Sequence, residues 1–322
     1  MRKQRNGMEV WKECTVCLGG HSQKISMEGR QSDLPVMIMF HGGPWGPVIY
    51  GMAYRGYYPE LAEHFILVWW DQYGCGKNYN KTVSDAVTVE TFAGMAVELV
   101  DQVAGLFPQN DLYLNGNSFG SYLSMTAASQ RQDKVKGVIN VGPIMDMPHS
   151  TDNFYRACES SLRPKEKAEL AKLRGGDYIH YALRLEALAE KYTNCAHYRG
   201  KEGSDALTGK WTLRLLTSPD YHLKDIIGVF KAYSTVGKRF LPMWNSLGEI
   251  DLREIAETLP LPVLYLQGSE ELYVMPEELE ALAQRHRNIT YCKIPYCGHI
   301  PTVEGWKLIL QAVIGFTGAR VF

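Results

Sequence analysis

No stretch of this chain is long and apolar enough to lie across a bilayer. Runs such as "VMIMF" and "FILVWW" stop at strand length, far short of the roughly 20 residues a spanning helix needs. The apolar core of a secretory leader is missing too. After the basic start "MRKQRNGMEVWKE", a Glu, a Trp and a Lys stand where a leader would be apolar, so an unprocessed, cytoplasmic chain is expected. Charge of one sign is lacking as well, since 34 Lys and Arg meet 35 Asp and Glu for a net −1. Without a long-range field, neither nucleic acid nor a membrane is expected as a partner. Cysteines number seven, an odd count that suits reduced thiols better than a disulfide framework. Cys14 and Cys17 form a CxxC, but the other candidate pair, Cys292 and Cys297, comes with no matching His pair, so no metal is expected. Internal repeats and low-complexity tracts are also absent.

What is present is an ordinary globular composition, 45% hydrophobic and 21% charged over 322 residues, enough for one large domain or two smaller ones. "CTVCLGG" and "QKISMEG", within Trp11 to Gly29, predict a β-hairpin. "PVMIMF" and "FILVWWD" follow as continuous apolar runs, the mark of strands covered by helices on both faces. A helix over "VETFAGMAVELVDQVAGLF", the strand "DLYLN", a helix over "SYLSMTAASQ" and the strand "VKGVINVG" continue the alternation. The fold class is therefore α/β, a mostly parallel sheet with helices on both faces. From about 147 to 247 only helical patterns succeed one another, and then "PVLYLQG", "PEELEALAQRH", "ITYCKI" and "WKLILQAVIGF" resume strand and helix. The expected organisation is a core over 1–146 and 248–322, interrupted by a helical cap over 147–247.

The chemistry centres on "DLYLNGNSFGSYLSM". Gly116, Ser118 and Gly120 make the G-x-S-x-G spacing between a strand and a helix, where a tight turn needs small neighbours and exposes the serine. A serine at its ordinary pKa is a weak nucleophile and needs a base and an acid to orient it. "YCGHIPTVE" offers His299 in a loop after the last strand, and "LQGSEELYVMP" offers Glu270 or Glu271 after the preceding one. In a parallel sheet all of these positions fall at the carboxyl edge. "HGGPWG", after the strand "VMIMF", supplies glycines whose amides can approach a reacting carbonyl, and the N–H groups of Gly43 and Phe119 are the expected oxyanion donors.

In order along the chain, "HGGPWG", "WWDQYGCGKNY", "GNSFGSYL" and "CGH" resemble the proline iminopeptidase branch of the α/β-hydrolase superfamily, from about Lys24 to the C-terminus. The resemblance implies Ser118 as nucleophile, His299 as base, Glu271 at the acid's position third after Gly268, and Gly43 and Phe119 as oxyanion donors. It implies a structural turn at Asp71. Departures from the branch's HGGPG, DQRGxGxS and GxSWGS stretches are Trp45 for Gly, Tyr73 for Arg and Phe119 for Trp. Glutamate replaces the usual aspartate, and it can orient an imidazole with one more methylene to accommodate.

The resulting expectation is a serine hydrolase that works through an acyl-enzyme without a cofactor, an aminopeptidase releasing N-terminal proline or a small apolar residue. Its partner would be a short peptide or other small molecule. Such an enzyme needs a cap carboxylate for the substrate ammonium, for which Glu159 and Glu186 are candidates, with Trp45 shaping the acyl pocket. The alternatives are an esterase, lactonase or thioesterase of small metabolites using the same triad, and a ligand-binding homologue without turnover. Epoxide hydrolase and dehalogenase chemistry is excluded, because those relatives need Asp where this chain has Ser118.

Overall fold

The computed structural model describes residues 7–47, 49, 59–80, 83, 87–193 and 212–319. Strands β1 (Val10–Leu18) and β2 (His21–Gly29) pair antiparallel across Gly19-Gly20. Both glycines have positive φ, 59° and 73°, as a two-residue hairpin turn matched to the right-handed strand twist requires. The remaining strands are β3 (Val36–Phe40), β4 (Ile66–Trp70), β5 (Leu112–Asn117), β6 (Gly137–Val141), β7 (Val263–Gly268) and β8 (Ile289–Ile294).

They form one sheet in the order β1-β2-β4-β3-β5-β6-β7-β8. Every pair from β4 to β8 is parallel, and β2 joins β4 antiparallel. After β3 the chain runs to one side for β4 and returns to the other for β5. That reversal opens a crevice at the carboxyl ends of β3 and β5, the usual ligand position in a wound sheet. Both strands end there on the expected motifs, "HGGPWG" and Ser118.

The longer helices are α1 (Val89–Leu106), α2 (Phe119–Gln130), α3 (Met147–Cys158), α4 (Pro164–Arg174), α5 (Tyr178–Thr193), α6 (Leu223–Tyr233), α7 (Pro276–Arg285) and α8 (Val303–Thr317). Alternation along the strands divides the core in two. Ile38, Phe40, Val68 and Trp70 pack with Phe92 and Leu99 of α1 and Leu123 of α2. Met37, Met39, Leu67 and Trp69 pack on the opposite face with Trp306, Ile309 and Val313 of α8. α1 lies on the sheet because Phe92, Met95, Ala96, Leu99, Val100 and Val103 recur at helical spacing and are all buried.

Between β6 and β7 the described residues contain helices and no strand. The two ends of this stretch are tied together by the bridge between Asp146 and Asp251 and by the amide of Leu252 donating to Met145 O at 2.6 Å. Phe154, Cys158, Leu170, Leu185 and Leu188, from α3, α4 and α5, make a small core of their own. α6 seats on the turn after β4, where the Tyr221 hydroxyl donates to Asp71 Oδ1 at 2.8 Å. No helix among the described residues is long and apolar enough to cross a membrane.

Candidate active site

Ser118 stands where β5 becomes α2, with φ 54° and ψ −121°, a conformation that L residues rarely adopt. Its amide is fixed by a 3.0 Å bond to Val141 O at the end of β6. The turn closes because Gly120 brings α2 against β3, where an added Cβ would lie 2.0 Å from Phe40 O. Ser118 is thus presented on a rigid corner rather than a loop.

His299 approaches from the segment after β8. A Cβ on Gly268, the last residue of β7, would lie 2.2 Å from Cys297 O, so only glycine lets the histidine-bearing loop settle on the strand end. The imidazole Nε2 is then 2.8 Å from Ser118 Oγ, and Nδ1 is 2.6 Å from Glu271 Oε2. A carboxylate only accepts, so Nδ1 donates to it and Nε2 is left to accept the serine proton. The other oxygen, Glu271 Oε1, accepts the amides of Leu272 at 2.8 Å and Tyr273 at 2.9 Å. Glu271 and His299 are both buried, whereas the Glu270 side chain takes no part in this arrangement.

The loop after β3 faces the serine. A Cβ on Gly42 would meet Ser118 Cβ at 3.0 Å. Gln72 clamps both ends of this loop: its Nε2 donates to His41 O at 2.8 Å, and its Oε1 accepts the Trp45 amide at 3.0 Å. The Gln72 amide donates to His41 Nε2 at 3.0 Å, and burial holds His41 down to about 4, so its ring is the neutral acceptor that this bond requires. The amides of Gly43 and Phe119 have no hydrogen-bond partner among the described residues.

The pocket residues expected from sequence are placed differently from one another. Glu186, half-buried on α5, lies beside the triad: it hydrogen-bonds Tyr273 and feels the charges of His299 and Glu271. Burial raises its carboxyl from 4.5 to about 7, with His299 opposing the shift and Glu190, one turn along α5, adding to it. Glu159 is exposed where α3 ends, beside Tyr155, and is not brought to the triad. Trp45 is 1% exposed; its ring is turned into an aromatic cluster with Phe92, Phe240 and Trp244, and its indole N–H donates to Tyr73 O. Asp71 is buried in its turn, accepting the Lys77 amide and the Tyr221 hydroxyl, and burial raises it to about 6.

Sequence reasoning missed Tyr273 and Gln72. Tyr273 lies 4.3 Å from the His299 ring between centroids and meets Phe154 edge-on at 4.9 Å. Nothing local in "EELYVMP" distinguishes it. Gln72 carries a signal, its place in the "WWDQYG" stretch that contributed to the resemblance.

A serine, a histidine and a glutamate hydrogen-bonded in series at the switch point of a wound parallel sheet define a hydrolase architecture. Residues 35–305 match the alpha/beta hydrolase fold family, and the chain belongs to it. It is 31% identical to the probable aminopeptidase YbaC of Bacillus subtilis (strain 168), over 94% of this chain and 95% of that protein. A proline iminopeptidase of Saccharolobus solfataricus is 24% identical over 67% of this chain and 69% of its own length. Among solved structures, a thermophilic esterase from Thermogutta terrifontis superposes with a TM-score of 0.57 at 20% identity, covering 95% of this chain and 98% of its own.

Proposed function

We propose that the protein is a serine aminopeptidase that removes an N-terminal proline or small apolar residue from short peptides. His299 Nε2 takes the Ser118 proton as Oγ attacks the scissile carbonyl, and Glu271 holds the imidazole in the required tautomer and stabilises its charged form. The tetrahedral oxyanion is received by the amides of Gly43 and Phe119, held in place by the Gln72 clamp and the start of α2. Donors of this kind contribute roughly 3 kcal/mol each to transition-state stabilisation. His299 then protonates the leaving amine, and water hydrolyses the acyl-enzyme by the same route in reverse. The reaction uses no cofactor.

The observation that carries the peptidase assignment is Glu186, a carboxylate on α5 hydrogen-bonded to Tyr273, whose ring lies against the imidazole of His299. An α-ammonium bound there would place the adjacent carbonyl at Ser118 and meet a carboxylate that burial holds near half-ionisation at neutral pH. The names of the YbaC and proline iminopeptidase relatives support the same reading. Proline and alanine arylamides with a free amine should be cleaved at least about tenfold faster in kcat/KM than their N-acetyl forms, since acetylation removes a charge-assisted hydrogen bond. Equal rates would sink the reading.

The second reading is an esterase of small acyl compounds. It is favoured by the triad itself, which needs no Glu186, and by the esterase among the structural neighbours. Good turnover of simple acyl esters with none of prolyl arylamide would select it. The series of hydrogen bonds from Glu271 to Ser118 speaks against a homologue that only binds.

A further inference from the structure

A cavity of about 400 Å³ lies where α6 and the segment after it meet the turn following β4, and none of Ser118, Glu271 or His299 lines it. That volume is in the range of small-molecule sites. Its walls carry three cations, Lys231, Lys238 and Arg239, and among the described residues no carboxylate. None of the three has an ion-pair partner among the described residues. Two are held on aromatic faces instead: Lys231 Nζ is 6.0 Å from the Tyr79 ring centre, and the Arg239 guanidinium is 4.9 Å from that of Phe240. A ring face fixes a cation without neutralising it or consuming its hydrogen-bond donors.

The adjoining cavity shows what balanced charge looks like here. It shares Tyr79 and Asn80 with the first, and it too holds two lysines, Lys24 and Lys77. Both are ion-paired with Glu13, at 2.9 and 2.6 Å. Of these two cavities, only the first carries cations without an ion-pair partner among the described residues, in a chain whose net charge is −1. The three cations are exposed, so water screens their mutual repulsion, and their common field at one concave, partly apolar wall is complementary to an anion.

We propose that this cavity binds a small organic anion carrying two or more negative charges, as carboxylates or phosphates. Two sources supply that chemistry: the acidic end of a peptide whose amino end occupies the triad, and a free metabolite. In either case the occupant is felt at the catalytic loop, because Trp45 forms part of the wall and its amide is one of the groups clamped by Gln72.

The test is calorimetric titration of inorganic pyrophosphate into the full chain at low ionic strength. One site per chain is expected, weakening with added salt as the Debye length shrinks. The variant K231Q/K238Q/R239Q should bind at least about tenfold more weakly, three partly screened charges each contributing modestly. The variant K165Q/K167Q/K172Q on α4 makes the same change in net charge away from the cavity and should keep wild-type affinity. Single K238Q and R239Q variants, each weakened about two- to threefold, serve if the triple variant does not fold. Absence of binding, or equal loss in the α4 variant, overturns the proposal. The source is read separately, and this arm alone rests on the peptidase assignment. If prolyl peptides ending in Asp are preferred over their amidated forms and the cavity variant abolishes that preference, the anion is the substrate's own end. If pyrophosphate binds but no such preference exists, the ligand is a free anion.

Discussion

Glu186→Gln isolates the recognition of the substrate amine from the bond-breaking machinery. The replacement keeps size and a polar partner for Tyr273 but removes the charge that an ammonium would meet. A hydrogen bond between charged groups is worth about 1.5 to 3 kcal/mol, so kcat/KM for a free-amine arylamide should fall by roughly 10- to 150-fold. The pH dependence gives a sharper test. With the carboxyl at about 7, the ionised fraction falls from roughly three-quarters at pH 7.5 to about one-thirtieth at pH 5.5. The substrate α-amine, with a pKa near 8, gains protonation over the same interval and offsets a small part of this. The ratio of kcat/KM for the free amine to that for its N-acetyl analogue cancels the titration of the triad and should fall roughly 20-fold from pH 7.5 to 5.5. In Glu186→Gln the ratio should be low and flat. A wild-type ratio independent of pH, or a variant losing less than about threefold, refutes the role given to Glu186.

Ser118→Ala and His299→Ala should each cost several powers of ten in kcat while leaving the thermal transition nearly unchanged, because members of a triad act as a unit and their losses do not add. Glu271→Gln should lower kcat sharply and Glu270→Gln should not; the reverse outcome, by steady-state assay, would shift the acid by one residue. Gly120→Ala should destabilise the fold by at least a few kcal/mol in denaturant titration, since a Cβ 2.0 Å from Phe40 O forces α2 and β3 apart. Glu186→Gln should also raise thermal stability at pH 8 and leave it unchanged at pH 4. The native carboxyl holds its proton up to about 7 while the unfolded one releases it near 4.5, so stability declines with rising pH across that window and the variant escapes the decline.

The parallel strands and the serine corner were legible in the sequence because each is local. "VMIMF" and "FILVWW" are apolar on both faces since both faces are covered, and the glycines around Ser118 record a close approach that no other residue permits. The acid's register was harder, since Glu270 and Glu271 are adjacent; the distinction lies in which carboxylate reaches His299 and collects two backbone amides. Glu159 and Glu186 look alike as acidic residues on cap helices, and only the packing of α3 against α5 leaves one in solvent and the other against Tyr273. Trp45 reads as a pocket residue, yet its ring is drawn into the cluster with Phe92, Phe240 and Trp244, aromatic partners far apart in sequence. Tyr273 belongs to the same class, its place beside His299 being set by two loops meeting across the end of the sheet.

Labelling by a fluorophosphonate, followed by peptide mass spectrometry, tests whether Ser118 is an activated nucleophile. The probe forms a covalent bond to a serine oxygen only where a base draws off the proton and an oxyanion site receives the developing charge. One adduct per chain is expected, on Ser118, lost in Ser118→Ala and slowed by orders of magnitude in His299→Ala. An unlabelled wild-type protein, or an adduct on any other serine, would contradict it.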